Sequence, residues 1–220
     1  MGWVTQTDGS VLLTLHPMLP LLLACVAVLT CLGCVLVVSL PPGPLSADGT
    51  RLIFISAAIR SHCGLSMLVL GSGAHLVALA QYMVCAHIGR QDAAIFVLLQ
   101  LFGWYIVLAY EATGLIIHLF GLALFLVSSQ MLHRRTCKHP LYRCALYEHV
   151  NMTTVLLAAA FATALPLTYL LPDEKGQLLC TNLGVSLEYV LLATYAAQNL
   201  CMAHGLNRLE SIHLVFVAAG

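Results

Sequence analysis

Ten histidines, nine cysteines and nine carboxylates are the side chains of this 220-residue chain best suited to chemistry. A metal-dependent hydrolase needs ligands that converge, for instance histidines one helical turn apart. Neither H-x-x-x-H nor H-E-x-x-H occurs in the sequence. The G-x-S-x-G of a serine hydrolase and the G-x-x-x-x-G-K of a phosphate-binding loop do not occur either. Cys31-Leu32-Gly33-Cys34 has the C-x-x-C spacing, but its surroundings are apolar and uncharged. A metal there would need thiolates in hydrocarbon, so the pair is read as small packing residues. The expectation is a non-enzymatic protein with no catalytic residues, no metal site and no cofactor.

The elements that must position these side chains follow from composition. Charged residues make up 8% of the chain and apolar ones 60%, with a mean hydropathy of +0.94. A soluble domain carries about 25% charged residues. The formal net charge of +0 gives no reason to expect nucleic acid as a partner. The class is a polytopic membrane protein whose main partner is the lipid bilayer. A spanning helix needs about 20 apolar residues. Six stretches reach or approach that length: residues 18–40, 64–88, 93–110, 115–132, 150–171 and 178–203. No strand-length segment alternates with period two, which argues against a β-barrel. The expected fold class is therefore all-α, a single six-helix membrane domain over residues 1–220. Glu111-Ala112-Thr113-Gly114 is the break between the third and fourth spans, and Gly71-Ser72-Gly73-Ala74 is small enough to let helices approach closely.

The nine basic residues orient this bundle. With a cytosolic N-terminus, Arg90, Arg134, Arg135, Lys138, Arg143 and Arg208 lie inside, and Arg51, Arg60 and Lys175 outside. Residues 133–149 decide the matter as a basic cytosolic loop. In it Arg134, Arg135, Lys138 and Arg143 would each add about 1 kcal/mol of attraction to anionic lipid. Both termini are then cytosolic, and residues 41–63 form an outside loop. In the cytosolic tail, residues 204–220, Leu206, Leu209 and Ile212 recur at the spacing of a short interfacial helix. The sequon Asn151-Met152-Thr153 falls at the cytosolic end of span five and should stay unmodified. Cys63 and Cys180 start spans two and six near the outer boundary, where a disulfide is open to them if the helices are neighbours. Cys137 and Cys144 flank the basic loop, either as palmitoylation sites or as free thiols.

A few polar side chains fall at membrane depth, where each is expensive. At about 1.5 Å of rise per residue, His75 lies about 16 Å into span two, Glu188 about 12 Å below Cys180 in span six, and His118 about 6 Å below Gly114 in span four. Glu188, His75 and His118 form the candidate intramembrane cluster, since a Glu–His pair would satisfy both groups. Gln81, Gln198 and Asn199 make a candidate second layer. Two readings stand for these groups: they join helices, or they line a ligand or ion path.

Several segments in order carry a family resemblance. Phe54-Ile55-Ser56, then Cys63 at the start of span two, resembles the outside loop of the DRAM/FRAG/SFK family. That family holds the damage-regulated autophagy modulators and the transmembrane protein 150 group. His118-Leu119-Phe120-Gly121 resembles the family's T-H-L-x-G stretch, and Pro172-Asp173-Glu174-Lys175-Gly176 its last outside loop. Ser186-Leu187-Glu188-Tyr189 falls where the family has small-x-Glu-Trp, and Leu209-Glu210-Ser211 is similar to one branch of the transmembrane protein 150 group. The match runs over roughly residues 54–213. The chain departs from the pattern at Ala57, Ile59, Ser61, His62, Ala109 and Tyr189, as a divergent member would. The resemblance implies a non-enzymatic membrane regulator of autophagy or of phosphoinositide-kinase recruitment. It also implies cytosolic regulatory proteins as partners, at a lysosomal, endosomal or plasma membrane. Phe54, Ser56 and Cys63 are its matching loop positions. A channel or transporter built on Glu188, His75 and His118 is the alternative, and a lipid-modifying enzyme a weaker one.

Overall fold

In a computed structural model of the chain, residues 2–5, 11–15, 19–39, 54–55, 65, 67–206 and 212–216 are described. Two short strands, β1 (Gly2–Thr5) and β2 (Val11–Leu15), precede helix α1 (Leu19–Ser39). A π-helical turn, Met67–Gly71, runs into α2 (Ser72–His87). A 3-10 turn at Gln91–Ala93 opens α3 (Ala94–Leu108). Helices α4 (Tyr110–Cys137), α5 (Ala145–Leu170) and α6 (Glu174–Leu206) follow, and β3 (Ile212–Phe216) comes last. Among the described residues, Leu68–His87, Ile116–Cys137, Ala145–Thr168 and Glu174–Gly205 are each long and apolar enough to cross a membrane. Leu22–Cys34 and Ala94–Leu108 are shorter apolar helices.

The distribution of side chains fits a multi-pass membrane protein. Ile116 is 83% exposed and Leu170 75%, whereas the amides of Gln81 and Gln198 are wholly buried. In water this arrangement would leave apolar surface unburied at about 25 cal/mol per Å². In lipid the amides inside and the aliphatic side chains outside are both satisfied.

The helices pair along the chain. α3 packs on α4 and α5 on α6 over most of their lengths, and α1 lies against α6 and α2. α4 touches α5 and α6 much less. The seam between α3 and α4 closes at Gly103 and Gly121. A Cβ at Gly103 would stand 2.6 Å from the Phe125 backbone nitrogen and 2.7 Å from the Gly121 carbonyl oxygen. Only glycine permits this backbone approach. At the α1–α2 contact, Gly73 likewise gives its space to the Thr30 side chain. Near the start of α4 a break falls where the sequence places one. Gly114 has φ 75° and ψ 171°, a backbone that interrupts the helix and suits glycine alone.

Three expectations about element bounds need correction. The basic segment is not a loop over residues 133–149: α4 continues through Cys137, α5 begins at Ala145, and only Lys138–Cys144 connects them. Hydropathy ends a span where the apolar run ends, but the helix continues until a cap stops it. Here α4 runs on to Cys137, and Cys144 caps the start of α5, its sulfur accepting from the Tyr147 N–H at 3.4 Å. The fifth connection is shorter than expected for the same reason. Asp173 caps α6, accepting from the Gly176 N–H at 2.7 Å, so Glu174 and Lys175 are already helical. The third correction concerns the tail. Ile212 starts a strand rather than continuing a helix, because Ile212-His213-Leu214-Val215-Phe216 is rich in β-branched and aromatic residues and has a partner. The order of the three strands is β1-β2-β3, all antiparallel, with Leu15 opposite Ile212 and Val11 opposite Phe216. Both chain ends therefore meet at one end of the bundle, called here the sheet end; the other is the loop end.

Candidate intramembrane polar site

At the loop end, Glu188 on α6 reaches the segment that precedes α2 in the chain. Its Oε2 accepts the backbone N–H of Ile55 at 2.8 Å, across 133 residues of sequence. One turn earlier on α6, Gly184 leaves room for the Phe54 ring, 3.7 Å from where a Cβ would sit. Phe54 and Ile55 are thus docked on a single face of α6. Ile55 is buried there with Cys34, Leu70 and Leu108. Ser56 and Cys63, the other matching loop positions, lie outside the described residues.

The other two members of the candidate cluster lie on α2 and α4. His75 is exposed on the edge of α2, its Nδ1 2.8 Å from the Gly71 carbonyl oxygen and 2.9 Å from the Tyr105 hydroxyl. The two rings meet edge-on with centroids 5.4 Å apart. His118 is buried in α4 against the Val107 backbone. Among the described residues no group of three or more His, Cys, Asp or Glu side chains lies close enough to hold a metal ion. Glu188, His75 and His118 therefore form no metal-type centre.

Nearer the sheet end, the second polar layer is larger than its sequence outline. Gln81 on α2 donates to the Asn199 Oδ1 on α6 at 2.9 Å. Gln100 on α3 donates to the Gln81 Oε1 and to the Tyr195 hydroxyl, each at 2.9 Å. Gln198, one residue before Asn199, faces a different set and donates to Asn151 on α5 at 3.0 Å and to Gln130 on α4 at 3.3 Å. His133 on α4 meets the Tyr147 hydroxyl of α5 at 2.7 Å, both side chains wholly buried. Five helices, α2 to α6, are thus joined by neutral amides, hydroxyls and one imidazole. Gln100, Tyr195, Asn151, Gln130, His133 and Tyr147 are the members that sequence reading missed. Their signal was available: Tyr195, Gln198 and Asn199 lie three and four apart on α6, the spacing of one helix face. Asn151 is also the sequon residue, and at 6% exposure with its amide engaged it presents nothing to a glycosyl transferase. Groups of this kind hold helices in register.

The basic patch of Arg134, Arg135, Lys138 and Arg143 is half neutralised. Arg135 pairs with Asp92 and stacks over the Phe96 ring, its guanidinium carbon 4.7 Å from the centroid. Arg143 pairs with Glu148 at 3.2 Å. Arg134 and Lys138 are exposed, with no ion pair to either among the described residues. In the same turn, Tyr142 packs into the space left by Gly205 of α6, and burial pushes its phenol pKa up. Of the cysteines, Cys137 is a buried free thiol and Cys144 a half-buried one that caps α5. Cys34 is buried, Cys31 donates to the Leu192 carbonyl at 3.8 Å, and Cys180 is a free, half-buried thiol. Comparison with protein-family models, with curated proteins and with solved structures finds no match.

Proposed function

We propose that the chain is a non-enzymatic, six-span membrane regulator of the DRAM/FRAG/SFK kind. In this reading it modulates autophagy or the recruitment of phosphoinositide-kinase machinery at a lysosomal, endosomal or plasma membrane. One observation carries the proposal: the hydrogen bond from the Ile55 N–H to Glu188. Phe54-Ile55-Ser56 and Ser186-Leu187-Glu188-Tyr189 are two motifs on which the resemblance rests, and this contact gives them a common purpose. The loop motif is held to the bundle by the acid of the span-six motif.

The topology proposed with it has both termini in the cytosol. Pairing of β2 with β3 supports this, because chain ends in one sheet require an even number of crossings. The positive residues of Lys138–Cys144 and the last turn of α4 point the same end inward. The cytosolic face that would meet partners centres on Arg134 and Lys138, since Arg135 and Arg143 are already paired. The transport reading gains no support from the amide layer, whose members carry no charge.

The test is affinity capture of the full chain from cells, probed for phosphoinositide-kinase and autophagy components. Recovery of such components that is lost in Arg134→Glu/Lys138→Glu, at unchanged protein level, is the expected result. Equal recovery from both proteins would reject the proposed face, and absence of these components from both would reject the function.

A further inference from the structure

The largest cavity measures about 60 Å³, against about 20 and 10 Å³ for two others. It lies where the α3–α4 pair faces α5 and α6, with Trp104, Leu122, Leu126, Phe161 and Leu191 on its wall. Interiors are otherwise close-packed, and voids larger than one water are few. The helix pairing accounts for this one. α3 and α4 close on each other at Gly103 and Gly121, and α5 lies along α6, but α4 meets α5 and α6 over little of its length. α5 brings Ala158-Ala159-Ala160-Phe161-Ala162-Thr163-Ala164 to this level, alanines on either side of one ring. Their methyl groups are too short to close the gap.

The polar groups on the wall are turned to protein partners. The Trp104 indole N–H donates to the Leu70 carbonyl at 3.3 Å, the Tyr195 hydroxyl takes the Gln100 amide at 2.9 Å, and Glu188 takes the Ile55 N–H at 2.8 Å. Water, which needs several polar partners, is a poor occupant of what remains; hydrocarbon is a good one. Depth narrows the choice. Phe161 lies about 14 Å inside the end of α5 at Leu170, and Trp104 about 15 Å beyond the start of α3 at Ala94. Measured from opposite ends of the bundle, both are near half of the ~30 Å hydrocarbon core. Acyl chains end at that level.

We propose that this cavity takes the terminal methylenes of one acyl chain of a bilayer phospholipid, entering sideways between α4 and α5. Both helices are long and apolar enough to cross a membrane, and the seam between them is loosely packed. A space of about 10–15 Å³ already holds one water, so about 60 Å³ takes a short run of methylene groups. The fused rings of a sterol are too large for it. Lipid tails are as apolar as the wall, so the gain is the dispersion contact that an unfilled void forfeits. The proposal needs only the membrane class and stands apart from the regulatory reading.

The experiment uses the full chain in phosphatidylcholine nanodiscs with two photoreactive phosphatidylcholines. One carries a diazirine near the methyl end of a chain, the other beside the ester. Label is mapped residue by residue by mass spectrometry. The chain-end probe is expected on Leu126, Phe161 and Leu191, as well as on the exposed Val127 and Leu156. The ester-side probe is expected on none of the first three. Leu126→Trp fills the space and should strip the label from Phe161 and Leu191 while Leu156 keeps it. Label on Val127 and Leu156 but not on Phe161 and Leu191 in the parent would overturn the proposal. Equal labelling of Phe161 and Leu191 by both probes would do so too, as would label there that Leu126→Trp leaves unchanged. Label there from a diazirine sterol or a free diazirine fatty acid, with none from the phospholipid, would assign the cavity to another lipid and reject this one. Leu122→Phe, a smaller filling on the same helix, gives the same reading if Leu126→Trp does not fold.

Discussion

The loop end and the sheet end bury polar groups in opposite ways. At the loop end, a single carboxylate reaches one backbone N–H beside a cavity of about 60 Å³. Towards the sheet end, amides from several helices interlock, and the void that Asn199 and Met202 line is only about 10 Å³. A neutral amide both donates and accepts, so amides can satisfy one another in a closed network. A carboxylate only accepts, so its donors must come from groups of other kinds, here a backbone N–H. The amides suit a fixed frame between helices, and the acid the place where the Phe54-Ile55 segment docks.

Four experiments would sharpen or break this contrast. The largest effect is expected at the seam beneath both regions. Gly103→Ala sets a methyl against the Phe125 and Gly121 backbones, and thermal unfolding in detergent should show a loss of about 1–3 kcal/mol or more. Next, Gln81→Leu removes a donor to Asn199 and an acceptor from Gln100, for about 1–2 kcal/mol by the same measurement. Glu188→Gln should cost less than about 1 kcal/mol, since Ile55 keeps an acceptor, and Glu188→Leu more. Hydrogen exchange at the Ile55 amide separates the two: slow in the first variant, fast in the second. If Glu188→Gln proves as damaging as Gln81→Leu, the acid belongs to the frame and the contrast fails.

The smallest effect is one of pH. Burial raises the folded-state pKa of Tyr142 above its unfolded value of about 10. Its contribution is complete below that pH. As pH rises further, the unfolded chain loses the proton that the folded one keeps, and stability falls. Tyr142→Phe should shallow this alkaline decline.

Much of the frame was legible from residue order. Long uncharged runs mark the helices, and Gly114 marks the break inside α4 because its backbone there is open to glycine alone. Gln81, Gln198 and Asn199 were legible as polar groups at depth, because hydrocarbon makes any such group conspicuous. Their partners were not, since pairing depends on how helices rotate about their axes. Neighbouring residues Gln198 and Asn199 accordingly face different helices. The contact of His75 was hidden for the same reason: depth is readable from sequence, but the edge of α2 that it shares with Tyr105 is not. The strand at Ile212–Phe216 was hidden because five residues gain a β conformation from their partner rather than from their own pattern.

Pairing of β2 with β3 also bears on the order of synthesis. Leu15 emerges first and Ile212 nearly two hundred residues later, yet they are partners. Until the last segment leaves the ribosome, β2 keeps one edge unpaired, an open template for any passing strand. The contact is among the most distant a chain of this length can make, so its closure is a late event in maturation. A stop codon before Ile212 would therefore leave the helices intact and the first strands without their cover.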